Sequence, residues 1–486
     1  MDSTPRNSTL MQYFEWYLPP EGNLWLRLKE DANRLSSIGI TALWLPPAYK
    51  GEAGIHDVGY GAYDLYDLGE FNQKSSIPTK YGTKQQYLEA IKEVHKYSMK
   101  VYADIVLDHK AGADDTEIVN AIRVERNNRN IEIGRPLQIE AWTQFNYTAR
   151  GDKYSSFKWN WSHFSGVDWD NRTKENSIFK FCDVVKHWTP DVDNEFGNFD
   201  YLMHADLNMN NEEVIDELLN WGKWYLDTTD ADGFRLDAVK HIKFSFFKNW
   251  LKELKSYSPK ELFTVGEYWS GDINKLINYI NHTDNLISLF DVPLHYNFAN
   301  ASNSYNKFDM RKLSENTLMS AIPDKAVTFV DNHDTEPGQS LESWVQPWFK
   351  PLAYTFILTR MNGLPCIFYG DYYGIPFKNQ PPLKDILDVI IKVRRDYAYG
   401  LQHDYFDDYH CIGWTREGDD LHDSSGLAAL ITNGTNSTKH MYVGKQHSGK
   451  TFYDCTGNIK KEITINDSGF GEFAVNPGSH SIWIHK

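Results

Sequence analysis

The sequence is short of cysteine and of positive charge, and each shortage excludes something. Only four cysteines occur in 486 residues: Cys182, Cys366, Cys411 and Cys455. They are far apart and form no C-x-x-C pair, so neither a zinc cluster nor a disulfide scaffold is indicated. Lys and Arg number 50 against 66 Asp and Glu, a formal net charge of −16. No nucleic acid and no membrane is expected as partner, because binding phosphates or anionic lipids needs clustered cations. No apolar run approaches the roughly 18 residues of a membrane helix. The N-terminal MDSTPRNSTLMQYFEW has no basic stretch followed by an apolar one, so no secretory signal is visible and a cytoplasmic protein is expected. Repeats and low-complexity segments are lacking too.

Aromatic residues are abundant at 15 %, with 16 Trp and 29 Tyr. Most of them must fill cores. The remainder suit stacking on flat, weakly polar faces such as sugar rings, and a neutral substrate is compatible with the charge. The length implies about two to four domains, although one α/β barrel can use about 250 residues.

Short apolar runs alternate with amphipathic helical stretches over the first 400 residues. Strands are expected at 10–16, 40–47, 100–109, 232–239, 262–269, 287–294, 326–333 and 365–372. Helical spacing falls between them at 87–97, 212–226 and 242–255. Eight strands separated mostly by helices predict an α/β fold, a TIM (β/α)8 barrel. Residues 110–209 interrupt it after the third strand. This segment is irregular, polar and rich in aromatics, too long for a bare loop, and is expected to be a small inserted β-rich domain. From 399 to 486 short strands alternate with Gly, Asn and Asp turns, which predicts a C-terminal antiparallel β-sandwich domain. The barrel is then built from 1–109 and 210–398.

Barrel active sites lie at the C-terminal ends of the strands. Here those ends carry Asp108-His109, Arg235 with Asp237, Lys240-His241, Glu267-Tyr268-Trp269 and Asp331-Asn332-His333-Asp334. In DGFRLDAVKH (232–241), alternation sets Phe234, Leu236 and Ala238 on one face and Gly233, Arg235 and Asp237 on the other. A structural ion pair would explain Arg235 and Asp237 alone, but not the convergence of carboxylates and histidines from several strands. Asp237, Glu267 and Asp334, without a serine or cysteine nucleophile motif, suit acetal cleavage, which needs one protonated and one ionised carboxyl. Arg235 beside Asp237 favours the ionised form.

DIVLDH (104–109), GFRLDAVKH (233–241), GEYW (266–269) and FVDNHD (329–334) resemble the four ordered signature regions of the α-amylase family of glycoside hydrolases. DVGYGAYDLYDLGEF (57–71) and FDVPLHYNF (290–298) narrow the resemblance to the bacterial liquefying type, and it runs nearly end to end. It implies an endo-acting, retaining hydrolase of α-1,4-glucan polysaccharides or oligosaccharides. Asp237 would be the nucleophile, Glu267 the acid and then base, and Asp334 a stabiliser of the transition state. Arg235 would hold Asp237 ionised, and His109, His241 and His333 would bond the sugars. Tyr60 would stack on the ring at the cleaved bond, with Lys240 and Trp269 on the leaving side. A transglycosylase on the same fold is the alternative. A binding scaffold on a decayed barrel would lack the carboxylates, and a metal-dependent barrel enzyme would want its acidic cluster in the barrel mouth. A monomer is expected.

The resemblance further implies one structural Ca2+ ion between barrel and insert, held by Asp108, Asp200, Asp206 and the backbone carbonyl of His241. Calcium takes several oxygen ligands, mostly carboxylates and carbonyls. Asp108 stands where the family usually has Asn. The neighbouring metal sites of the liquefying relatives are not expected, because their acidic positions read here as Ser165, Thr189, Asn208 and Asn210. A distal site is excluded in the same way by Tyr409-His410 and Asn433.

Overall fold

A computed structural model describes residues 7–182 and 187–486. Eight parallel strands close into a barrel: β1 (Leu10–Gln12), β2 (Ala42–Leu45), β3 (Lys100–Ile105), β4 (Gly233–Leu236), β5 (Phe263–Gly266), β6 (Ser288–Phe290), β7 (Ala326–Phe329) and β8 (Leu364–Phe368). They neighbour in the order β1-β8-β7-β6-β5-β4-β3-β2, which returns to β1. The strands are short apolar runs because helices outside and packed side chains inside bury both faces. Residues 42–45, Ala-Leu-Trp-Leu, are buried throughout.

The outer helices carry the local signals that start and stop them. Lys84–Lys96 opens on a reciprocal Thr83/Gln86 capping box. Glu212–Thr229 opens on Asn211, whose side chain accepts the N–H of Glu213. Leu24–Ile38 ends on Gly39 at φ 119°, a left-handed residue that binds back to the last carbonyls. Among the described residues no helix is long and apolar enough to cross a membrane.

The third strand ends at Ile105, earlier than its sequence run. His109 opens the inserted sheet instead, pairing with Asp206. That sheet is antiparallel and six-stranded, in the order 109–110, 205–207, 164–170, 175–181, 115–125 and 128–144. Its largest part is a hairpin, Asp115–Glu125 against Asn128–Gln144, where the sequence reads as irregular. The alternation is hidden because residues 130–136 are exposed on both faces. In the C-terminal region a six-stranded antiparallel sheet and a two-stranded one enclose Phe452, Phe473 and Trp483. Two of its strands, Gln402–Tyr405 and Phe470–Val475, are not evident from the sequence pattern.

Register positions the site. Arg235 lies opposite Asp104 on one side and Val265 on the other. Gly233 permits this close pairing, since a Cβ there would meet the Phe263 carbonyl oxygen at 1.9 Å.

Candidate active site

Arg235 is completely buried, and its guanidinium grips three carboxylates. Nη1 donates to Asp104 Oδ1 at 2.9 Å and to Asp237 Oδ1 at 2.6 Å, and Nη2 donates to Glu267 Oε2 at 2.9 Å. A buried cation is tolerable only with such pairing. Asp104 in turn accepts the Trp44 indole N–H at 2.9 Å and the Tyr60 hydroxyl at 2.8 Å. Sequence reasoning passed over Asp104 and Trp44 in favour of Asp108. The available signal was a carboxylate in the middle of an apolar strand, in VYADIVLDH.

The polypeptide leaves the strand before Asp237. β4 stops at Leu236, and Ala238 adopts φ 48°, an unusual value for a residue with a Cβ. The turn aims Asp237 at the mouth and directs the Ala238 N–H at Glu267 Oε2, 3.3 Å away. Burial pushes the Glu267 carboxyl up to about 8; Asp237 and Asp334 add to the shift and Arg235 opposes it. Burial likewise raises Asp334 to about 7 and Asp104 to about 6.

These groups open into a cleft of about 630 Å³, lined by Asp237, Glu267 and Asp334 together with Tyr60, His109, Lys240, His241 and Trp269. His333 stands behind the wall, where Gln12 donates to Nδ1 at 3.1 Å and leaves Nε2 facing Asp334 Oδ2 at 3.2 Å. Burial and Arg235 hold His333 neutral, well below its usual range. Both ring nitrogens of His109 are engaged, Nδ1 with Asp108 at 3.1 Å and Nε2 with the Tyr60 carbonyl at 2.9 Å. The His241 ring bonds the Phe199 carbonyl, and burial with Lys240 lowers it to about 3. Lys240 donates to Glu195 and to the Trp269 carbonyl, and Trp269 donates to the Tyr296 hydroxyl. Tyr60 stacks parallel to Trp16, at 6.0 Å and 2°. Trp16 and Gln12 were not singled out from the sequence. Asp331, at the polar end of strand seven, does not join the cleft: it pairs with Lys350 at 2.9 Å, which also binds Asp371.

A second acidic group sits at the junction of barrel and insert. Asp108, Asp200 and Asp206 are all buried, and the pairing of Asp206 with His109 brings the insert's acid beside Asp108. Burial raises all three, Asp200 to about 8, and mutual repulsion adds to the shift in Asp200 and Asp206. Among the described residues Asp206 Oδ2 has no hydrogen-bond partner. Hard anionic oxygens that repel one another, one of them orphaned, fit a cation such as calcium. Among the described residues the acids do not converge into a finished cage, so carbonyls and water would complete the shell.

A closed β/α barrel whose mouth holds a raised carboxyl and an arginine-bound carboxylate is the frame of a glycosidic-bond hydrolase. Comparison with known proteins narrows the class. The α-amylase catalytic-domain profile matches residues 29–398, and the α-amylase C-terminal profile matches 427–484. The chain is 62 % identical to an α-amylase of Geobacillus stearothermophilus over 484 residues, covering 100 % of this chain and 88 % of that one. It is 41 % identical to the cytoplasmic α-amylase of Escherichia coli (strain K12) over 99 % of each. Its fold superposes on the acarbose complex of an α-amylase from Geobacillus thermoleovorans with a TM-score of 0.64 at 20 % identity, covering 99 % of this chain and 98 % of that one. The chain belongs to the α-amylase family and is a glycoside hydrolase.

Proposed function

We propose that the protein is an endo-acting, retaining α-amylase that hydrolyses internal α-1,4-glucosidic bonds of starch, glycogen or maltodextrins. One observation carries the reading: a single guanidinium binds both Asp237 and Glu267, while the Glu267 carboxyl is raised to about 8. Acetal cleavage requires a carboxyl that keeps its proton for the leaving oxygen beside a second carboxyl placed to attack. Glu267 gives its proton to the glycosidic oxygen as the C1–O bond breaks, and an Asp237 oxygen bonds C1 from the other face. Glu267, now a carboxylate, takes a proton from water. That water's oxygen attacks C1 and releases Asp237, so the α-configuration is retained. Asp334 binds sugar hydroxyls. His109 acts through Tyr60, whose carbonyl it holds, and Tyr60 offers a face to the ring.

Asp108, Asp200, Asp206 and the His241 carbonyl would hold one calcium ion, which supplies positive charge to the junction. The count of one is supported by neutral groups elsewhere. Asn433 Nδ2 donates to the Tyr305 and Phe308 carbonyls at 2.9 and 2.8 Å, so an amide, with no need of a cation, ties the barrel to the C-terminal region. Lys243 occupies Asn210 at 2.9 Å. Elemental analysis giving more than one calcium per chain would sink this count. A cytoplasmic location is supported by the likeness to the cytoplasmic Escherichia coli enzyme and by four free thiols; cell fractionation tests it, and light scattering tests the expected monomer.

The deciding experiment is the product profile on soluble starch, with the anomer read early by NMR. Mixed-length α-anomers with rapid loss of iodine staining are expected. Initial β-anomers would overturn the covalent route, and longer products from an added maltooligosaccharide would favour transfer.

A further inference from the structure

Outside the cleft, one aromatic ring is presented to solvent by a loop built to hold it. Phe377 is 71 % exposed. It rides on a tight turn after β8, in which Ile375 and Gln380 exchange backbone hydrogen bonds at 3.0 and 3.1 Å. Ile375 is fully buried, Pro376 opens the turn, and Asn379 closes it at φ 54°. The ring lies almost flat on Tyr17, with centroids 5.0 Å apart and planes 19° apart. The Lys378 ammonium sits 4.5 Å from the Tyr17 ring centre. An exposed phenylalanine is unremarkable alone; one clamped parallel to a second ring, with polar groups at its edge, resembles a sugar-stacking platform.

The platform is tied through Tyr17 to two segments that line the cleft. Tyr17 follows Trp16, which lines the cleft. The Tyr17 hydroxyl donates to the Pro337 carbonyl and accepts from Gln339, both on the loop that carries Asp334, Ser340 and Leu341 to the cleft wall. The segment is also held by hydrogen bonds on both sides. Glu336 accepts the Trp16 N–H, Glu15 accepts the Tyr17 N–H, and Lys80 donates to the Trp16 carbonyl. Glu336 is fully buried with one oxygen unpartnered among the described residues, and burial beside Glu15 raises it to about 9, so its place is a neutral acid's. The inner face of this segment serves the cleft, and its outer face serves Phe377.

We propose that Phe377 and Tyr17 form an accessory subsite at the rim of the cleft, on which a glucose ring of a long α-glucan stacks while the same chain occupies the cleft. The proposal rests on the glucan-hydrolase reading and adds a chain-length preference to it. The test compares kcat/KM on amylose with that on a short maltooligosaccharide, for the wild type, Phe377→Ala and Phe377→Trp. Loss of one stacking ring should lower the amylose-to-oligosaccharide ratio about three- to tenfold in Phe377→Ala, with restoration in Phe377→Trp. The ring is exposed, so folding is not at stake. An unchanged ratio in Phe377→Ala would overturn the subsite, as would a loss that Phe377→Trp does not restore. A wild type inactive on both substrates would instead overturn the glucan-hydrolase reading itself.

Discussion

The molecule buries acid in two places and neutralises it in two ways. At the barrel mouth, Asp104, Asp237 and Glu267 share the Arg235 guanidinium, a cation on the neighbouring strand. At the junction, Asp108, Asp200 and Asp206 are equally buried, and burial first, then the charges of its fellow acids, raises Asp206. The first cluster carries its own counter-charge, and the proton that Glu267 retains is a chemical resource. Among the described residues the second has no buried arginine: His109 bonds Asp108 at 3.1 Å and Lys243 acts on Asp200, while Asp206 is left to protons or an outside cation. Burial raises a carboxyl in either place; what differs is whether the shift serves a reaction or weakens the fold.

Removing the reacting oxygens should have the largest effect. Glu267→Gln and Asp237→Asn are expected to lose activity by about 10⁴-fold or more with the fold intact by circular dichroism. In the wild type, kcat should fall as pH rises through about 8, where Glu267 loses its proton. An alkaline limb far below that would break the assignment of the acid.

Arg235→Met tests the internal counter-charge. Breaking a buried ion pair from one side costs about 3–5 kcal/mol, which urea denaturation would read. Unchanged stability would mean that the three acids are neutralised some other way.

Chelation tests the second cluster. Without metal, the native state binds protons at Asp200 that the unfolded chain has released, since its folded value is about 8 against roughly 3.9 unfolded. Stability therefore falls as pH rises through this interval, because the unfolded state then holds fewer protons than the native one. Calcium would offset this, so a chelator should lower Tm more at pH 8 than at pH 6. Asp206→Asn should shrink that difference. A chelator effect independent of pH would contradict the comparison.

The smallest effect is expected at the amide clamp. Asn433→Asp leaves the Tyr305 and Phe308 carbonyls without their donor, at a cost of about 1–3 kcal/mol, measurable by calorimetry. No loss would show that the clamp contributes little.

The barrel was legible because parallel strands buried on both faces must be short apolar runs; seven strands fall within the expected segments and the eighth starts one residue before its own, at Leu364. The hairpin at 115–144 was not, because its exposed stretch has no inward face to mark it. His109 read as the end of a barrel strand, since DIVLDH has no break in it; its pairing with Asp206 comes from residues nearly a hundred positions away. Asp104 was missed for a related reason. A buried carboxylate within a strand has meaning only beside its cation, and Arg235 reaches it across strands 131 residues apart.

The order of four motifs, the number of strands and the kinds of side chain at their ends were determined by the sequence, because these follow from local alternation and from residue chemistry. Tertiary structure decided which acid meets which cation, that Ala238 turns Asp237 out of its strand, that His109 is tied at both nitrogens, and that Glu267 keeps its proton to about 8. Each of those depends on desolvation and on charges brought near only by closure of the barrel, and a carboxyl's protonation belongs to its surroundings rather than to its place in the chain.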